Sequence, residues 1–106
     1  MINLSTIEKA TSLLLAAAPP GSRVILFGSH ATGHADARSD VDFLVVEPHV
    51  ADRVREMLRL SEALRPLKLP TDLLVLSSQA FDHWKNIPNS IAYRVNREGK
   101  VYGPAS

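Results

Sequence analysis

From Val41 to Val46 the chain is apolar at every position except Asp42, so a strand built from it has little of either face to give to water. A β-branched and aromatic run of this kind belongs in a sheet that is covered on both sides. Val24-Ile25-Leu26-Phe27 is a second such run and ends at Gly28, and Leu73 to Leu76 is a third, entered at Thr71-Asp72. The rest of the chain must supply the covering layers.

Segments of helical period lie between these strands. Ser5 and Glu8 have capping-box spacing, and Leu4, Ile7, Thr11, Leu14 and Ala18 form a stripe that predicts a first helix ended by Pro19-Pro20-Gly21. Val50, Val54, Met57, Leu58 and Leu64 predict a second. Asp52/Arg55, Glu56/Arg59 and Glu62/Arg65 are then i,i+3 pairs on its exposed faces, and Pro66 and Pro70 break it. Ser77-Ser78 opens a third, with Phe81 and Trp84 toward the core; a fourth runs from Pro88 to Gly99 with Ile91 and Val95 on one side. Val101-Tyr102 reads as a last short strand. Helices alternate with strands and no repeat is present, so the class is α/β (α+β) with one central sheet flanked by helices.

Residues 1–106 are expected to form one domain, because a chain this long holds a single core and is too short for two. A second substrate-gripping domain must then come from another chain. With 12 basic and 11 acidic residues the chain has no field strong enough to bind long nucleic acid through its phosphates. The absence of cysteine excludes disulfides, thiolate catalysis and Cys-based zinc sites, and is compatible with a reducing compartment. No apolar run approaches the ~20 residues that cross a bilayer, so no membrane association and a cytoplasmic location are expected.

The chemistry concentrates around Asp40-Val41-Asp42. In a strand the two carboxylates share a face, about 7 Å apart along the backbone, where a buried segment begins. Such a pair calls for a cation. All-oxygen ligation suits Mg²⁺, which keeps several waters and is completed by substrate phosphates, so the expected ligand is Mg²⁺ with a nucleotide. Asp72 repeats the situation at the mouth of the next strand, and three carboxylates could hold two ions about 3.5–4 Å apart. Separated from Asp40 by ten residues, the Gly28-Ser29 pair combines close backbone approach with a hydroxyl, as a phosphate-holding turn requires. Gly33 gives the following loop a second flexible point, and Arg38 or His34 could approach a triphosphate. His30 and His34 have a metal-ligand spacing if helical, but surface histidines explain them more simply. Arg94 and Arg97 could meet a phosphate or a partner carboxylate, but a solvated helix face explains both more simply.

Val24 to Val46, with Gly28-Ser29, Gly33, Ser39-Asp40 and Asp42, resembles the signature of the minimal nucleotidyltransferase domains of the polymerase β-like superfamily, and the likeness extends through Asp72 to Arg97-Glu98-Gly99-Lys100-Val101-Tyr102. The resemblance implies a mixed sheet flanked by helices. It also implies Mg²⁺ on Asp40, Asp42 and Asp72, with Asp72 orienting or deprotonating the attacking hydroxyl. Gly28, Ser29, Gly33, Arg38 and Ser39 would hold the nucleotide, usually ATP. AMP would pass to the acceptor and pyrophosphate would leave. Many such domains are similar to the antitoxin of a pair whose partner is a HEPN-type toxin. The chain departs from the commoner pattern at His30-Ala31-Thr32 and His34 to Ala37, which replace a more basic stretch. Two other readings stay open: a module that neutralises a partner by contact alone, and a small-molecule nucleotidyltransferase that would need a homo-oligomer to complete an acceptor pocket.

Overall fold

The computed structural model describes residues 4–35 and 40–103. Its elements run α1 (Leu4–Ala17), β1 (Arg23–Phe27), a one-turn helix α2 (Ser29–Thr32), β2 (Val41–Glu47), α3 (Arg53–Leu64), a 3₁₀ turn (Arg65–Leu67), β3 (Thr71–Ser77), α4 (Ser78–Trp84), α5 (Ile91–Glu98) and β4 (Lys100–Tyr102). The strands form one sheet in the order β3-β2-β1-β4. β1 is antiparallel to β2 and to β4, whereas β2 and β3 are parallel. The sheet is therefore mixed, and α3 is the crossover that a parallel neighbour requires.

The alternation of side chains along the strands divides the core in two. Val24 and Leu26 of β1, and Val41, Phe43 and Val45 of β2, pack with Ile7, Ala10 and Leu14 of α1 and Leu60 and Leu64 of α3. Ile25, Phe27, Leu44 and Val46 point the other way, onto Phe81 of α4 and Ala92 and Val95 of α5. Both faces of the sheet are covered, as the uninterrupted apolar strands require.

The helices depart from expectation mainly in which apolar residues they bury. α1 begins at Leu4, so Ser5 lies inside the helix, and Leu4 is exposed. Val54 and Leu58 are each 65% exposed, because the packing face of α3 is set by Leu60 and Leu64, and the other two residues are turned away from it by roughly a quarter turn or more. Trp84 and Ile91 are also exposed, leaving Phe81, Ala92 and Val95 to cover the sheet. α5 starts three residues after Pro88, since Asn89 adopts a left-handed φ of 71° and Ser90 caps the helix by accepting the Tyr93 N–H at 3.0 Å. Asp52 likewise caps α3, accepting the Arg55 N–H at 3.1 Å. No helix among the described residues is long and apolar enough to cross a membrane.

At the C-terminal end of β2, Glu47 is fully buried. Its carboxyl faces Glu56 of α3, which Arg59 holds through two bonds of 2.7 Å. Burial first, then the hydrogen bond to Glu56, pushes the Glu47 pKa up to about 8; the Arg59 bond holds Glu56 well below the usual carboxylate range. Glu47 is therefore the protonated partner at neutral pH. The unfolded chain releases that proton near pH 4.5, so this part of the stability is complete below that value and is lost as pH rises through about 8. The wild type is expected to lose stability between about pH 5 and 9, and thermal unfolding of Glu47→Gln, whose amide keeps a donor toward Glu56, is expected to show no such decline. Parallel pH profiles for the two proteins would contradict the assignment.

Candidate active site

The register of the central strands places two acidic residues side by side. Asp42 is paired across β1 with Phe27 and across β3 with Asp72, so Phe27, Asp42 and Asp72 form one row on the α4/α5 face of the sheet. Adjacent strands lie about 4.8 Å apart, which brings the two carboxyl groups into contact. The Asp42 pKa is raised, first by burial and then by the charge of Asp72 and a hydrogen bond to it; Arg94 pulls the other way and Asp40 adds a smaller upward push. Two ionised carboxyl groups in this contact repel, and a cation between them would relieve that repulsion.

Gly28 governs how closely the neighbouring turn approaches that pair. Its φ of 75° with ψ of −155° is open in practice only to glycine. A Cβ there would clash with Oδ2 of Asp42 and lie 3.1 Å from its Cγ. The Gly28 carbonyl accepts the N–H groups of Ala31 and Thr32 at 3.1 and 3.2 Å and the Thr32 hydroxyl at 3.2 Å, which fixes α2 directly after β1. Ser29 is thus the first residue of α2, and Gly33 ends that helix with a φ of 79°. His34 falls beyond the helix and bonds Thr32 Oγ1 through Nδ1 at 3.1 Å, so the two histidines do not share a helical face. Arg38 and Ser39 lie outside the described residues.

Asp40 is exposed, immediately before β2, and Asp72 is exposed at the start of the edge strand. Asp42 and Asp72 are in contact and Asp40 is the more distant member; among the described residues no three Asp, Glu or His side chains are gathered tightly enough to hold a metal ion. The chemistry of the donors nevertheless fits a hard divalent cation: two carboxyl groups, all-oxygen donors, whose contact is repulsive when both are ionised and which are open to solvent on the Asp72 side. Sequence reasoning named Arg94 as a possible phosphate contact but preferred a solvated helix face for it. It projects from α5 with its guanidinium 6.0 Å from the Phe27 ring, where its charge acts on Asp42. The ordinary i,i+4 pairing of Arg94 with Glu98, present here at 3.3 Å, is the pattern of a solvated helix surface, so nothing local in the sequence distinguishes it.

Comparison with known proteins identifies the family and the fold. Residues 7–96 match the nucleotidyltransferase domain family. No curated protein is significantly similar in sequence. One similar solved structure is a chain of a toxin-antitoxin complex with AMP-PNP, 23% identical, covering 97% of this chain and 75% of its own, with a TM-score of 0.64. Another is a nucleotidyltransferase, described as putative, from Sulfolobus solfataricus: 24% identical, covering 76% of this chain and 71% of its own, TM-score 0.60. A third belongs to a complex of tri-AMPylated Shewanella oneidensis HEPN toxin with MNT antitoxin, 21% identical, covering 94% of this chain and 71% of its own, TM-score 0.61. These likenesses establish a shared fold.

Without divalent cations, Asp42→Asn is expected to raise the unfolding temperature, because the amide can donate to Asp72 where two carboxylates repelled. A gain of about 1 kcal/mol corresponds to ~4–8 °C for a domain of this size. Millimolar MgCl₂ should raise the unfolding temperature of the wild type and leave the variant unmoved. A magnesium shift of equal size in both proteins would count against cation binding at this pair.

Proposed function

This chain belongs to the nucleotidyltransferase domain family, and from that premise we propose that it transfers AMP from ATP to a hydroxyl group of a partner protein, releasing pyrophosphate. The observation that carries the reading is the Asp42/Asp72 pair set against the glycine-only turn at Gly28. The turn offers backbone approach and the Ser29 hydroxyl to phosphate oxygens, and Gly33 ends the short helix in a left-handed conformation. Arg38 and Ser39 complete the proposed nucleotide-binding set from the adjoining segment.

In the proposed reaction the acceptor oxygen attacks the α-phosphorus in line with the bond to the β-phosphate. That bond breaks with its electrons leaving on pyrophosphate, and the acceptor's proton passes to Asp72 and then to water. Asp72 suits this role because it is exposed on the edge strand, where an acceptor can reach it, while Asp42 lies deeper in the row. Asp42 and Asp72, with Asp40 as the outlying third acid, would hold Mg²⁺, which would supply charge neutralisation for the triphosphate and polarise the α-phosphoryl group.

The proposed acceptor is a HEPN-type toxin, with this chain as its antitoxin. What supports this is the likeness in fold to a chain of a complex in which a HEPN toxin carries AMP groups, together with an exposed Asp72 that a protein hydroxyl could approach. Incubation with ATP labelled at the α-phosphate, MgCl₂ and a HEPN-type protein should place label on that protein. Asp42→Asn should lower the rate by at least ~100-fold. Absence of label on the partner, or unchanged labelling by the variant, would defeat the reading.

A further inference from the structure

Resting on the transferase reading, we infer that Arg94 is a polyphosphate-binding residue of this site, which leaves Glu98 to grip the β- and γ-phosphoryl groups of the bound nucleotide. Ala92 and Val95 anchor α5 on the sheet, and Ser90 and the left-handed Asn89 fix where the helix begins, so the backbone of Arg94 is held in place. Its side chain is not. It is 54% exposed, and its ion pair with Glu98, itself 40% exposed, is a single 3.3 Å contact. A solvated pair of that kind is weak and readily exchanged.

The position is what makes the exchange informative. The guanidinium sits 6.0 Å from the ring of Phe27, the residue just before Gly28, and acts electrostatically on Asp42 in the next strand. Beside it Asn89, Ser90, Ile91 and Tyr93 line a groove of about 480 Å³. Three aspartates make this end of the sheet strongly negative, and a triphosphate adds more negative charge. A mobile cation at its rim reduces that repulsion, and a guanidinium can take two phosphate oxygens at once. The duller role, a fixed counter-charge to Asp42, would make Arg94 indifferent to what lies beyond the α-phosphate.

Calorimetric titration of the intact chain with AMP-PNP and with AMP, both with MgCl₂, separates the two roles. Arg94→Ala should weaken AMP-PNP by about tenfold or more while changing AMP by less than about twofold. Arg94→Lys, which keeps the charge and loses the fork, should recover part of the affinity. Equal AMP-PNP affinity in the wild type and Arg94→Ala would overturn the inference and leave the transferase reading intact, as would an equal loss for both ligands. A wild-type protein that binds neither ligand would defeat the transferase reading itself, and the inference with it.

Discussion

The in-register parallel pairing of β2 with β3 is the constraint on which the site depends. Because Val41 faces Thr71 and Asp42 faces Asp72 across that pair, two carboxyl groups meet at the strand mouths without any flexible segment to bring them together. A one-residue slip would turn Asp72 to the opposite face and move Leu73 and Val75 out of the core with it. The apolar packing of β3 against α3 thus also fixes the acidic pair. On the other side of β2, antiparallel pairing sets Phe27 and hence Gly28 against the same aspartate.

The two ends of β2 handle buried acid in contrasting ways. At Glu47 the charge is resolved within the protein: one proton on Glu47, one guanidinium on Glu56, and α3 tied to the strand end. At Asp42 the resolution is incomplete, because the neighbour is a second acid, the turn beside it is stripped of a side chain, and the basic residue acting on it is a half-exposed arginine paired elsewhere. An arrangement that a cation and a polyphosphate would relieve is what a phosphoryl-transfer centre needs.

Much of this was legible in the sequence. The strands declared themselves through β-branched runs, and the shared face of Asp40 and Asp42 follows from the two-residue period of a strand. That Asp72 lies beside Asp42 was open, since register across a crossover depends on how α3 packs, which no local pattern encodes. The same limit explains the helices: Val54 and Leu58 fit a helical period as well as Leu60 and Leu64 do, and tertiary packing alone decided between them. Gly28 was readable as a flexible point, but the clash that any side chain there would make with Asp42 belongs to the folded state. Arg94 could be named as a possible phosphate contact but not singled out, because its partner Glu98 gives it an ordinary surface pattern.

The central claim is that the Asp42/Asp72 pair and the Gly28 turn together form the nucleotide site. A crystal structure of the chain with AMP-PNP and MgCl₂ tests it most directly. The account predicts electron density for the triphosphate along Gly28-Ser29, with the α-phosphate beside the two aspartates. Nucleotide bound elsewhere on the fold, or an Asp42 and Asp72 that point apart in its presence, would contradict it.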